Sequence, residues 1–332
     1  MITAAAPNRF AVWLNAARPR TLPLALACII MGTGLAAAGG AVDWLVALLC
    51  VVTAILLQIL SNLANDYGDS LHGADHVERR GPKRAVQAGL VTPGQMRWAI
   101  GLTALLTVAS GLLLLWFAFG REAFAFILLF VVLGGAAIGA AITYTAGKLP
   151  YGYAGLGDVA VLLFFGWLGV LGSYFVQTSR LAPALLLPAT ACGLLAVAVL
   201  NVNNIRDLES DRLAGKRSIP VRLGLRRARV YHWLLLGLAV LCATVYVLLT
   251  PMSLWQFLYL LAVPLLVRNG LAVARTNELH TLNPWLRQMS LAALAFAVLL
   301  ALGQVLPLFS RSPIRKSSTL ARKASGCSRW TV

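Results

Sequence analysis

The sequence predicts an all-α, polytopic membrane protein with nine transmembrane helices in one bundle, and three observations lead there. Of its 332 residues, 59% are hydrophobic and 12% charged, about half the charge of a soluble domain. The apolar residues gather into nine stretches, each long enough to cross about 30 Å of hydrocarbon. The few charges fall between those stretches and are unequally shared among them. Such a composition excludes disorder, a coiled coil or an ordinary water-soluble domain.

Residues 1–20 form a basic N-terminal segment, expected to stay in place because no small-residue cleavage site follows the first apolar run. The spans are then predicted at 21–38, 44–64, 97–119, 123–145, 157–176, 182–204, 230–250, 253–273 and 289–309. The eighth is interrupted by Pro264 and Arg268. Residues 21–309 are thus one membrane domain, and 310–332, rich in Ser, Arg and Lys, a disordered tail. Cys28, Cys50, Cys192 and Cys242 lie inside apolar runs, with Cys327 in the tail. Without Cys-x-x-Cys spacing they read as small packing residues. Gly135 and Gly139 form a small-x-x-x-small pattern that predicts close helix packing. Trp44, Trp116, Trp233 and Trp255 sit near span ends and are expected to be interfacial anchors.

The 28 Lys and Arg residues set the orientation. Twenty lie at the N-terminus, in or beside 65–96, at Lys148, in 205–229 and in 268–288, against Arg121 and Arg180 in the opposite connections. The first set marks the cytoplasmic face, as expected in a bacterial cytoplasmic (inner) membrane. Six more occupy the tail, which an odd number of spans would place outside, against the same rule. The net charge of +17 therefore reflects topology and anion binding. No aromatic-interleaved basic patch on a soluble face points to nucleic acid.

The scarce acids carry more information. Nine of the eleven fall on the cytoplasmic side, Asp43 and Glu122 being the exceptions. Connections 65–96 and 205–229 are long, polar and each open on an Asn/Asp cluster. In the first, Asn62, Asp66 and Asp69 share a helix face, with Asn65 beside them and His72 and Asp75 beyond; His72, with no second His near it, reads as a loop residue. In the second, Asn203, Asp207 and Asp211 share a face. Like charges at this spacing repel, so helix stability does not explain them. Carboxylates near a membrane core are costly unless a cation offsets them. Oxygen-only donors suit Mg²⁺, which takes one or two carboxylates and completes its shell with phosphate oxygens. Two such clusters followed by Arg79, Lys83, Arg84, Lys216 and Arg217 suit a metal-bridged diphosphate. Arg226, Arg227 and Arg229 read as plain topology markers. A divalent-cation transporter is the alternative, and it requires acids near mid-membrane on discontinuous helices.

Asn65-Asp66-x-x-Asp69 after the second span and Asp207-x-x-x-Asp211 after the sixth resemble the paired motifs of UbiA-type intramembrane prenyltransferases. Other blocks narrow the resemblance to the 1,4-dihydroxy-2-naphthoate polyprenyltransferases. They are Arg18-Pro-Arg-Thr-Leu-Pro23, Gly81-Pro82 within Arg79–Arg84, Gln87-x-Gly89, Lys148-Leu-Pro-Tyr-Gly-Tyr153, Gly155-x-Gly157-Asp158 and Gly215-Lys216. Many members of the wider family carry a further Asp where this chain has Gly73, and its acid is shifted to Asp75. Relatives acting on 4-hydroxybenzoate typically read Arg-Pro-Leu at Arg84-Ala85-Val86, and that acceptor stays the alternative within the family.

The resemblance implies a nine-helix bundle with a cytoplasmic-side cavity, embedded in membrane lipid. It implies Mg²⁺-dependent transfer from a polyprenyl diphosphate to 1,4-dihydroxy-2-naphthoate. On that reading Asp66, Asp69, Asp207 and Asp211 are catalytic, and with Asn62, Asn65 and Asn203 they hold the metal. Arg79, Arg84, Lys216 and Arg206 grip diphosphate, although Arg206 lies about 100° round the helix from Asp207. Lys148, Tyr153 and Asp158 are candidate acceptor contacts. For Asp158 the alternative is a helix N-terminal acid, and for Lys148 a mark of the membrane boundary.

Overall fold

The computed structural model describes residues 8–71, 84–120, 123–147, 150–251 and 253–310, with 309 and 310 for backbone only. Arg79, Lys83, His72, Asp75, Lys148, Arg121, Glu122 and the tail lie outside them. Among the described residues nine helical segments are long and apolar enough to cross a membrane. The elements are α1 (Arg9–Ala17), α2 (Leu22–Ala38), α3 (Trp44–Leu71), α4 (Pro93–Phe119) and α5 (Phe124–Thr143). Then come α6 (Gly157–Thr178) and α7 (Pro183–Arg206), two short helices α8 (Leu208–Leu213) and α9 (Ile219–Leu223), and α10 (Leu225–Leu249). The last are α11 (Leu254–Arg275) and α12 (Leu279–Leu308).

Several helices outrun the apolar stretches that announce them, because local chemistry sets their ends. α4 begins at Pro93 rather than 97, where Thr92 and Gln95 form a capping box and Pro93 occupies the first turn. α10 begins at Leu225 rather than 230, after Gly224 turns the chain with φ 76°. α12 begins ten residues before the expected start, anchored by buried Leu282 and Leu286. α3 continues to Leu71, so the first Asn/Asp cluster is helical and not the start of a loop. In α11, Leu254–Ala262 is 3₁₀-helical and Val263–Arg275 α-helical. Pro264 falls in the first turn of the α-helical part, where its missing N–H costs little.

α7 is the buried axis, with Ala189, Ala191, Ala198 and Val202 sealed from the surface. It packs on α6, α10 and α12, while α12 runs along α2. α3 pairs with α4, and α5 leans on both without burying one of its own residues. Between these two groups of helices lies a cavity of about 560 Å³.

Lipid is as apolar as Leu, so helix contacts here depend on close van der Waals approach. α6 is π-helical over Leu162–Leu171. There a Cβ on Gly166 would lie 2.8 Å from the Ala189 carbonyl and 2.9 Å from Gly193 Cα. A Cβ on Gly34 would meet that of Ala301 at 2.4 Å. Gly135 and Gly139 differ from the sequence expectation: nothing lies within 4 Å of a Cβ at either, so they hold no helix contact, and Gly135 lines the cavity. Trp44, Trp116 and Trp255 are exposed, but Trp233 packs its ring on Gly270. Cys28, Cys50 and Cys192 are buried and free, with 4.0 Å between the sulfurs of Cys28 and Cys192.

Gly166→Ala forces a methyl into two backbones and is expected to cost about 1–3 kcal/mol. The measurement is a lowered thermal midpoint in detergent; an unchanged midpoint refutes the α6–α7 contact.

Candidate active site

Asp66, Asp69, Asp207 and Asp211 come together at one end of the bundle, 2, 3, 6 and 6% exposed. Buried carboxylates need counter-charge and hydrogen bonds. The Arg84 guanidinium pairs with Asp69 and donates to the Asn65 carbonyl at 3.0 Å. The amide of Ala85 donates to Asp66 Oδ2 at 3.1 Å. The segment entering α4 thereby closes over the first motif.

The second motif is built at the break between α7 and α8. Asp207 ends α7, and one further turn brings Asp211 N to the Asp207 carbonyl at 2.8 Å. Arg206 reaches round to grip Asp207 bidentately, Nε to Oδ1 at 2.8 Å and a terminal nitrogen to Oδ2 at 2.6 Å. It also donates to Asn203 Oδ1 at 2.8 Å and Asn283 Oδ1 at 2.9 Å. Lys216 Nζ lies 3.3 Å from Asp211 Oδ2. Burial pulls the Lys216 pKa down, but Asp211, Tyr144, Asp69 and Asp207 more than reverse this, so it stays cationic. One ammonium thus answers to carboxylates of both motifs. At Asp211 burial raises the pKa, and Lys216 offsets this only in part.

Residues 144–157 stitch the motifs together. Thr145 Oγ1 donates to the Ala64 carbonyl at 3.2 Å and Asn65 Oδ1 at 3.1 Å. Gly68, inside the first motif, permits this: a Cβ there would lie 2.5 Å from the Thr145 carbonyl carbon. Tyr153 donates its hydroxyl to Asp69 Oδ1 at 2.9 Å, and its carbonyl accepts from Arg217 N at 2.9 Å. Gly155, with φ 78°, sits against the Arg217 carbonyl. Burial raises the phenols of Tyr144, Tyr151 (to about 12) and Tyr153, the last further raised by Asp69. All three are neutral donors near neutral pH.

The cavity opens at this cluster, where Asn65, Asp69, Arg84, Asn203 and Lys216 line it beside Tyr144 and Tyr151. Of the four aspartates, Asp69 lines it and Asp66, Asp207 and Asp211 do not, and neither do Tyr153 and Asp158, expected beside an acceptor. Tyr153 is taken by Asp69, and Asp158, in the first turn of α6, accepts from Tyr231 at 2.8 Å. Asn62 lines the cavity and has a structural part as well. Its Nδ2 donates to the Ala17 carbonyl at 2.9 Å and Thr21 Oγ1 at 3.1 Å, and its Oδ1 accepts from Gln58 at 3.3 Å. It tethers α3 to the α1–α2 corner. Thr145, Tyr144, Tyr231 and Asn283 carry no motif and emerge from the structure.

The donor set fits Mg²⁺: every candidate ligand is a hard oxygen. Among the described residues no three carboxylates cage an ion by themselves, as suits an ion that fills its shell with phosphate oxygens and water. Arg206→Ala removes the bidentate partner of the buried Asp207 and is expected to cost about 3–5 kcal/mol. Thermal unfolding of Arg206→Ala, Asp207→Ala and the double variant reads this. The double variant should be more stable than Arg206→Ala alone, and strict additivity refutes the pairing.

The profile of the UbiA prenyltransferase family matches residues 25–294. The 1,4-dihydroxy-2-naphthoate octaprenyltransferase of Escherichia coli is 50% identical over 296 residues, covering 89% of this chain and 96% of the relative. That of Mycobacterium tuberculosis is 39% identical over 300 residues, covering 89% and 99%. Among solved structures, the apo UbiA homolog from Aeropyrum pernix superposes with a TM-score of 0.63 at 16% identity, covering 86% of this chain and 98% of that one. A UbiA homolog from Archaeoglobus fulgidus bound to DMAPP and Mg²⁺ gives 0.54 at 16%, covering 85% and 98%. The nine-span bundle with paired aspartate motifs at one end, and these matches across most of its length, establish that the chain belongs to the UbiA prenyltransferase family.

Proposed function

We propose that this protein transfers a polyprenyl group from a polyprenyl diphosphate to 1,4-dihydroxy-2-naphthoate, with loss of the acceptor carboxylate as CO₂, giving demethylmenaquinol. The observation that carries this reading is 50% identity across 89% of the chain to a relative named for that transfer. The apolar cavity, lined at one end by Asn65, Asp69, Arg84, Asn203 and Lys216, supplies the matching chemistry.

Asp66, Asp69, Asp207 and Asp211, with Asn62, Asn65 and Asn203, are the residues that would hold Mg²⁺. When bound, the ion supplies positive charge where the diphosphate leaves. Arg84 and Lys216, now on Asp69 and Asp211, are placed to turn to diphosphate oxygens as the carboxylates take up the metal. Arg206 keeps Asp207 oriented from behind, a positioning role. Arg79 and Lys148 retain their expected parts, diphosphate and acceptor contact. The C–O bond breaks with its electron pair going to diphosphate, and the acceptor ring attacks the allylic cation. The apolar walls exclude the water that would otherwise capture it. Tyr144 and Tyr151, neutral and lining the cavity, are better placed for the acceptor than Tyr153 or Asp158.

The fold sits in a bacterial inner membrane with the motif end on the cytoplasmic side, a reading supported by the twenty basic residues of the expected cytoplasmic connections. The test is an assay of purified protein with Mg²⁺, a long prenyl diphosphate and either dihydroxynaphthoate or 4-hydroxybenzoate. Product is expected with the naphthoate; product with 4-hydroxybenzoate alone overturns the acceptor assignment. Asp66→Ala and Asp207→Ala are each expected to lower kcat by about 10²-fold or more while the protein still inserts and folds. Chelation by EDTA is expected to abolish transfer, and full activity in both variants without metal sinks the mechanism.

A further inference from the structure

Arg268 is a charge that the reaction does not use. It lies inside the span Leu254–Arg275, exposed on α11 about two turns before the helix ends. Loop arginines mark topology, but an arginine within a span is costly unless its donors are met. Its guanidinium carbon lies 5.5 Å from the ring centroid of Trp285 on α12, within cation–π range. That ring answers the charge and supplies no oxygen for the N–H donors of the fork. Among the described residues no carboxylate pairs with Arg268, and the acid nearest to it in the chain, Glu278, lies 3.6 Å from His280.

The stack stands on a rigid base. Asn269, the next residue, is sealed from the surface, and its Nδ2 donates to the Trp285 carbonyl at 2.9 Å and to Gln288 Oε1 at 2.6 Å. Gln288 Nε2 donates in turn to the Leu265 carbonyl at 2.9 Å. His232 of α10 brings Nε2 to 3.0 Å from Asn269 Oδ1, so three helices are locked in register around the seam. Depth follows from the same contacts. Trp285 comes two positions after Asn283, whose side chain holds Arg206 of the second motif. The stack therefore lies level with the motif end, where hydrocarbon gives way to headgroups, the layer that tryptophan favours. On the deeper side of α11, Leu261 and Leu265 are exposed and apolar. On the outer side Arg275 closes the helix, and the Arg229 guanidinium donates to the Thr276 carbonyl, which fastens a further cation there.

We propose that the α11–α12 seam at Arg268 and Trp285 binds an anionic phospholipid, its phosphate oxygens accepting from the Arg268 fork and an acyl chain lying along Leu265 and Leu261. Neither Arg268 nor Trp285 lines the cavity, so this site is separate from the one that faces the motifs. A rigid fork of donors without an acceptor matches phosphate geometry. The apolar track below the fork selects a ligand with a hydrocarbon part. Arg275 and Arg229 add a positive field from which a headgroup of net negative charge gains, while a choline headgroup brings its own cation against it. The inference does not depend on which acceptor the enzyme uses.

The experiment titrates the full chain in neutral detergent with dioleoyl phosphatidylglycerol or dioleoyl phosphatidylcholine and reads the thermal midpoint. Phosphatidylglycerol is expected to raise the wild-type midpoint, and phosphatidylcholine at the same concentration to leave it in place. Arg268→Ala and Arg268→Gln are each expected to raise the half-maximal phosphatidylglycerol concentration about fivefold or more. Arg180→Ala removes one positive charge at the other end of the bundle and is expected to leave that concentration unchanged. Equal responses to the two lipids, no response in wild type, or a rise reproduced by inorganic phosphate overturns the lipid site. So does a folded Arg268→Gln that titrates as wild type does, even where Arg268→Ala fails to fold.

Discussion

Four carboxylates buried at one end of an oily bundle are the constraint around which the site is arranged. Each negative charge withdrawn from water demands an answer: the Ala85 amide donates to Asp66, and Asp69, Asp207 and Asp211 take cations drawn from three places. Arg84 comes from the segment entering α4, Arg206 from the end of α7, and Lys216 from the turn after α8. The ion pairs are strong at this depth, but the desolvation they offset is large too. They are better understood as conditions for assembling the site than as sources of stability. A diphosphate and its metal satisfy the same charges in another way, so the resting pairs hold the site ready without filling it.

Assembly also depends on backbone against backbone. Residues 144–157 wedge between the motifs, and the glycines there work by absence. Gly68 admits Thr145, Gly152 admits the Tyr144 carbonyl, and Gly155 admits Arg217. A methyl at any of them separates elements whose side chains act across a few ångströms. This gives the dense Gly and Tyr pattern between the fourth and fifth spans a physical role beside its family resemblance.

The nine spans were legible because crossing hydrocarbon needs long apolar runs, and that need is written residue by residue. Their ends were less so: Pro93, Leu225 and Leu279 start helices on capping, a positive-φ glycine and buried leucines, none of which hydropathy records. The aspartates were legible because buried acids have few uses in a membrane. The tether made by Asn62 was not legible, because helical periodicity places the residue on the motif face but says nothing of Ala17 and Thr21, more than 40 positions away in the chain. Gly135 was misread for a related reason, since a small residue opens space and closes contact equally well, and sequence spacing does not say which. Asn283, the partner of Arg206 from the other end of the chain, left no signal at all.

α5 buries none of its own residues and yet forms a wall of the cavity. One side of that helix lies toward the reaction space while much of the rest meets acyl chains. The enclosure is thus part protein and part bilayer. That wall, a single helix with no buried residue of its own, is the side of the enclosure held least by protein packing.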